Sequence, residues 1–143
     1  MSRARGFSLL ELVVVIVIAA ILAALAIPRF TDSESRTGWY HEQVKAGIRY
    51  AQRQAVAQRR PVFVDVASSQ ITLCYSLSAG TCDAGARLQQ LASGQPYVLE
   101  APDGVTLAPT GVFSFDALGQ SGGYGLAVGG RAITVNAGTG YVE

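Results

Sequence analysis

Histidine and cysteine are nearly absent: one His (His41) and two Cys (Cys74, Cys82) occur in 143 residues. That scarcity excludes a thiolate–imidazole metal site, because two thiols and a distant imidazole do not make a tetrahedral ligand set. The chain also lacks a G-x-S-x-G elbow, a phosphate-binding P-loop and any paired metal-binding motif. Its glycine-rich stretches, GGYG near Gly122 and GTG near Gly138, open no expected helix that could hold phosphate at an N-terminus, and they read as turns. His41 stands between Tyr40 and Glu42 on a helical stretch and reads as a surface or packing residue rather than a catalyst. Net charge is also small, +1 at pH 7, so there is no global electrostatic case for a nucleic-acid partner. The expectation is a protein that is not an enzyme and carries no cofactor and no metal.

The stretch that is present in excess is apolar. In RGFSLLELVVVIVIAAILAALAIPRF the only charge between Arg5 and Arg29 is Glu11. At about 1.5 Å per residue, some 20 helical residues cross a hydrocarbon core, and no helix breaker interrupts Ser8 to Ile27. A lone carboxylate there costs about 2.5–3.5 kcal/mol on insertion scales, which marks it as functional and calls for a partner. The basic stretch Met1–Gly6, with Arg3 and Arg5, precedes the apolar run. Cleavage after Gly6 would therefore retain the span and create an ammonium at Phe7, one helical turn before Glu11. Paired with that ammonium in its own chain or a neighbour, the carboxylate would fix the axial register of packed helices.

Two other readings of this stretch exist. A signal peptide cut after Ala24, Leu25 and Ala26 would release a soluble domain, and a simple single-pass anchor would leave Glu11 without a role. Both predict that Glu11 is dispensable.

The segment GFSLLELVVVIVIAAILAALAIPRF resembles the prepilin-type N-terminus of type IV pilins, minor pilins and type II secretion pseudopilins. The likeness lies in the Gly6/Phe7 junction, Glu11, the unbroken apolar run and Pro28. The resemblance implies cleavage between Gly6 and Phe7 and N-methylation of Phe7 by a membrane prepilin peptidase. Assembly with other pilins into a helical filament on an inner-membrane platform would follow. The positive-inside rule puts Arg3 and Arg5 in the cytoplasm and the bulk of the chain across the bacterial inner membrane, in the periplasm.

Beyond the span, about 115 residues suffice for one compact domain. Pro28 is expected to kink the helix rather than end it, making one rod with a second, amphipathic half. Val44, Ile48, Ala51 and Ala55 draw an apolar stripe over the stretch from Ser35 to Arg59, with Arg49, Gln52, Arg53 and Gln58 elsewhere on its surface. Arg59 and Arg60 suit the negative end of the dipole, and Pro61 stops the helix.

After Pro61 the period becomes extended. Strands are expected at Val62–Val66, Gln70–Tyr75, Tyr97–Glu100, Val105–Leu107, Val112–Phe115, Tyr124–Val128, Arg131–Val135 and Gly140–Val142. Gly129 and Gly130 predict a two-residue hairpin turn. Connections this short make the sheet largely antiparallel.

Residues 79–95, rich in Gly, Ser and Ala, read as a variable loop. Cys74 and Cys82 either close a short disulfide loop, apt for an oxidising compartment, or pack as two independent small core residues. The expected fold is thus α+β, a long N-terminal α-helix packed on an antiparallel β-sheet domain. Its divisions are a leader at 1–6, a transmembrane assembly helix at 7–28, an amphipathic half-helix at 29–60 and a sheet domain at 61–143.

The pattern AGIRYAQRQAVAQRRPVFVDV, followed by FSFDALGQ and ITVNAGTGYVE, is similar to the H-type minor pseudopilin of type II secretion and its type IV minor-pilin relatives, MSHA-type minor pilins included. The resemblance implies a minor subunit of a filament serving secretion or pilus biogenesis. The alternative is a DNA-binding minor pilin for uptake. The C-terminal region offers Arg131 and little else that is basic, so the phosphate-neutralising contribution would be small and nucleic acid is not the expected partner.

Overall fold

In a computed structural model of the chain, residues 8–26 and 33–143 are described, and they fall into two units, Met1–Asp32 and Ser33–Glu143. In the first unit, helix α1 spans Leu9–Ala26, 18 residues with no Gly or Pro. Its first turn is closed by the Ser8 carbonyl, which accepts from Glu11 N (3.0 Å) and Leu12 N (3.2 Å). Pro28, like Gly6 and Phe7, lies outside the described residues.

The second unit is organised by one helix and the sheets it covers. Helix α2 runs Ser33–Gln58, and Tyr40, Val44, Ile48, Ala51 and Ala55 along it are all fully buried. The spacing of four, four, three and four keeps them on one side of a 3.6-residue period. Tyr40 extends the expected stripe by a turn. Its ring reaches across the core, and its hydroxyl donates to the Leu99 carbonyl at 2.9 Å.

The end of α2 is a Schellman motif. Arg60 N donates to Ala55 O (3.2 Å) and Arg59 N to Val56 O (3.3 Å), with Arg59 left-handed at φ 50° where glycine is usual. Pro61 follows and cannot continue the helix.

Nine short strands follow: β1 (Val62–Val66), β2 (Gln70–Cys74), β3 (Leu77–Ser78), β4 (Thr81–Cys82), β5 (Val98–Glu100), β6 (Leu107–Ala108), β7 (Gly111–Phe115), β8 (Tyr124–Val128) and β9 (Arg131–Val135). They form a four-stranded sheet in the order β5-β2-β1-β7, a three-stranded sheet β6-β8-β9 and the small hairpin β3-β4. Every pairing is antiparallel. Helix α2 packs on β1, β7 and β8, so both larger sheets contribute to one core. β1 shows why: Val62, Val64 and Val66 point inward while Phe63 and Asp65 are half-buried on the other face. Gly129 and Gly130, at φ 54° and 84°, turn β8 into β9 as a two-residue connection needs.

One expectation is corrected: the final segment 140–142 is no strand, and it joins β9 by a single bridge, Val135 to Val142. Within the segment 79–95 lie β4 and the Asp83-capped 3-10 turn at Ala84–Ala86. It also carries the buried Leu88, whose N–H donates to Leu73 O at 2.9 Å. β2 is covered on both faces, with Thr72 and Cys74 as buried as Ile71 and Leu73. Among the described residues the amphipathic helix runs 33–58, its end set by the αL residue Arg59.

Candidate functional site

Helix α1 has no polar face. Every described large apolar side chain from Leu9 to Leu22 is exposed, from 46% at Val14 to 81% at Leu9. A helix that is apolar all round must be buried by something outside itself, either lipid or other helices. Its 18 residues reach about 27 Å, just under a hydrocarbon core of about 30 Å. Among the described residues no helix is long and apolar enough to cross a membrane.

Glu11 interrupts this surface in the first turn, where the positive end of the helix dipole favours a carboxylate. A run of Leu, Val and Ile, each contributing about −0.3 to −0.6 kcal/mol on the insertion scale, outweighs the carboxylate's cost of about 2.5–3.5 kcal/mol. Glu11 therefore does not prevent burial of α1.

The second unit presents a different arrangement on α2. Arg49 Nη2 donates to Val142 O (2.9 Å), and Gln52 Nε2 donates to Gly119 O (2.9 Å) and Thr139 O (3.2 Å). Both residues were expected on the free helix surface. Instead they lie at the edge of the buried stripe and bind the loops that close the second sheet. His41 joins them: Nε2 donates to Ala132 O (3.2 Å), while Nδ1 lies 3.3 Å from Glu42 Oε1. The lone histidine thus ties α2 to β9. Arg131 is exposed, with its guanidinium lying close over Gly38 of α2.

The sequence signal for these ties was the i, i+3 spacing of Arg49 and Gln52 beside the stripe; their carbonyl partners, 67 to 93 residues away, left none.

Cys74 and Cys82 form a disulfide, with Cα atoms 5.6 Å apart, that staples the β3-β4 hairpin over β2. Cys82 N also donates to Asp65 Oδ2 at 2.9 Å, so the hairpin is held to β1 as well. Among the described residues no group of His, Cys, Asp and Glu could hold a metal ion.

Burial shifts the phenols. The Tyr40 hydroxyl is pushed up to about 12 by loss of solvent. Tyr97 is raised by burial and then by Tyr50, on which it stacks at 5.1 Å; Tyr124 is raised by burial.

Comparison with known proteins bears on both units. Residues 1–27 match the prokaryotic N-terminal methylation motif, and residues 41–140 match type II transport protein GspH. Over 61 residues the chain is 39% identical to the type IV narrow pilus major component PilA5 of Thermus thermophilus. That match covers 42% of this chain and 53% of the relative, so it spans about half the length of that protein. Two crystal structures of the type IV minor pilin FimU from Pseudomonas aeruginosa superpose with TM-scores of 0.54 and 0.55. Their identities are 18% and 14%; 77% of this chain is covered in both, with 90% and 88% of those chains. At such identity the likeness shows the fold, an α+β pilin fold. With a methylation motif at residues 1–27 and most of the second unit inside the family match, the chain belongs to the GspH family of type II transport proteins.

Proposed function

We propose that this chain is a minor subunit of a filament assembled at the bacterial inner membrane, in which Glu11 sets the register of packed α1 helices. The observation that carries the reading is a single carboxylate in the first turn of a helix whose every side is exposed and apolar. In this reading residues 1–6 are a leader that a prepilin peptidase removes between Gly6 and Phe7, and Phe7 is N-methylated. The new ammonium of one copy faces Glu11 of its neighbour, in the same chain class or another pilin. Residues 7–28 cross the membrane once, with Pro28 as a kink, and residues 29–143 lie in the periplasm. The unit Ser33–Glu143 then works as a contact body between subunits and has no catalytic task. The methylation motif and the family match, both those of membrane-anchored pilins, support this assignment.

A register set by Glu11 makes a specific demand. Desolvated charges that lose their partner are strongly disfavoured, whereas an apolar replacement of the carboxylate removes an insertion cost. Glu11→Leu should therefore insert in membranes at least as well as the native chain but co-purify poorly with partner pilins. Normal insertion together with normal co-purification and normal secretion or piliation would contradict the proposal. Nucleic-acid binding has no observation in its favour beyond Arg131.

A further inference from the structure

We infer that a cationic flank of α2 docks the free carboxylates Glu100 and Asp103 of a second copy of this chain. The stretch 45–60 carries Lys45, Arg49, Arg53, Arg59 and Arg60 and no Asp or Glu. Lys45, Arg49 and Arg53 follow one another at four-residue spacing, a row about 12 Å long on one side of the helix. Like charges at this spacing disfavour the helix, and nothing in the described structure relieves them. Among the described residues the one ion pair is His41 with Glu42, and no Lys or Arg forms one. Arg53 is exposed; Lys45 and Arg49 are half-buried, and Arg49 is steadied by its bond to Val142 O (2.9 Å). The row is an ordered set of cations without counter-charges.

The complement lies beyond the other flank of the same helix. On the row's side, Arg49 and Gln52 reach Val142 O and Gly119 O. On the opposite side, Tyr40 donates to Leu99 O and Gly47 packs against Leu99 and Tyr97, beside β5. Glu100 ends β5, and Asp103 stands in the turn that Val105 N closes on Pro102 O (3.0 Å). Both are exposed, and neither side chain has a hydrogen bond or ion pair among the described residues. Asp65, Asp83 and Asp116, by contrast, already accept from backbone N–H groups. Patches of opposite sign on opposite flanks cannot meet within one chain, nor both face one partner across a two-fold axis. The row of each copy therefore meets the carboxylates of the next, a head-to-tail contact that continues as an open helical series. The inference rests on the filament reading above, in which α1 already gathers the subunits. Exposed ion pairs, weak singly, then suffice to select which flanks meet.

A folded neighbour suits this flank better than a phosphate chain. Beside the row Val56, Leu118 and Tyr141 are exposed, and Leu118 is held in place by Asp116, whose Oδ1 accepts from Leu118 N (2.9 Å) and Gln120 N (2.8 Å). A protein surface covers such side chains, and Arg and Tyr are the residues that carry protein interfaces. Glu42 lies three residues before Lys45, and Glu143 follows the Val142 that holds Arg49. A polyanion running along the row would meet both carboxylates, whereas two isolated acidic side chains do not.

Lys45 is the sole lysine of the chain, which makes the contact addressable. Full chains of natural-abundance and heavy-nitrogen composition are mixed in phosphatidylcholine vesicles and treated with a water-soluble carbodiimide, which joins an amine to a carboxylate in contact. After digestion, mixed-isotope peptides report links between copies. Links from Lys45 to Glu100 or Asp103 should dominate that set at low salt. They should fall about tenfold at high salt, as exposed charges are screened, and about as far in Arg53→Glu. Adding Asp103→Arg to Arg53→Glu should restore the link from Lys45 to Glu100. Should a variant fail to fold, the salt dependence on the native chain decides. Links from Lys45 spread over other carboxylates, links indifferent to salt, or no mixed-isotope link at Lys45 overturn the inference and leave the role of Glu11 untouched. Protection of Lys45 by a thymidine oligonucleotide would assign the row to nucleic acid and overturn it too. Links to Glu100 or Asp103 that persist in full in Glu11→Leu sustain the flank contact while contradicting the register.

Discussion

Replacing Gly140 by alanine tests how the C-terminal segment is anchored to α2. Gly140 is left-handed, at φ 66°, a conformation that costs an L-residue about 1–2 kcal/mol. A Cβ there would also collide with the Gly119 carbonyl oxygen, come within 2.8 Å of Gln52 Nε2 and within 3.0 Å of Phe115 Cε1. Phe115 is fully buried and cannot move aside. Gln52 can swing away, but only by surrendering its bonds to Gly119 O and Thr139 O, at about 1 kcal/mol net apiece.

The sum is a loss of about 2–4 kcal/mol, a large part of the stability of a domain this size. Gly138→Ala is the control: its φ is similar, 82°, yet a Cβ there meets nothing within 4 Å, so only the backbone strain, about 1–2 kcal/mol, should appear. Urea unfolding of both variants in the full chain, followed by near-ultraviolet circular dichroism, gives the comparison. If Gly140→Ala costs no more than Gly138→Ala, the close approach of α2 and the 116–121 and 137–141 loops is not what holds the segment.

Three further outcomes are expected. Tyr40 keeps its proton up to about pH 12 in the folded state but loses it near pH 10 when unfolded. The unfolded state thus binds fewer protons over that window, and stability falls as pH rises from 10 to 12, by of order 2–3 kcal/mol. Tyr40→Phe should flatten that fall in an alkaline unfolding series, at the expense of about 1 kcal/mol at neutral pH from the lost bond to Leu99. Removing the disulfide with Cys74→Ala and Cys82→Ala opens a loop of separation 8, and the chain-entropy relation gives about 2–3 kcal/mol. Urea midpoints with and without reductant check it, since reductant should weaken the native chain and leave the double variant unchanged. Intact-mass analysis of the mature chain should give a polypeptide beginning at a methylated Phe7; a start after Ala26 would return the chain to the exported-domain reading.

How much of this was legible in the sequence depends on how local each signal is. The α2 stripe at Val44, Ile48, Ala51 and Ala55 was readable because helix periodicity needs only neighbours, and the Gly129–Gly130 turn because left-handed backbone selects glycine. β1 and β9 were readable from their alternation.

The hairpin β3-β4 was not readable, since strands of only two residues carry no period. Leu88 was hidden for a related reason. A single apolar residue among Ala, Arg and Gln does not signal a buried crossing, and only the bridges to Cys74 and Pro96 on either side show it. The burial of β2 on both faces followed from that missed cover.

At the candidate sites the contrast is similar. Glu11 stood out by its isolation in an apolar run, whereas Glu100 and Asp103 looked like any surface carboxylates. Their place across α2 from Lys45 and Arg49 becomes visible only once Leu99 of β5 is folded against Tyr40 and Gly47.

In the proposed filament the carboxylate of Glu11 meets the N-terminal ammonium of an adjacent subunit. Solid-state nuclear magnetic resonance on assembled filaments, with this chain labelled at the Glu11 carboxyl carbon and the neighbouring pilins, copies of this chain included, labelled at the mature N-terminal nitrogen, measures that distance directly. An ion pair there gives dipolar coupling between the two labels corresponding to about 4 Å. Filaments that form normally and show no such coupling would refute the pairing.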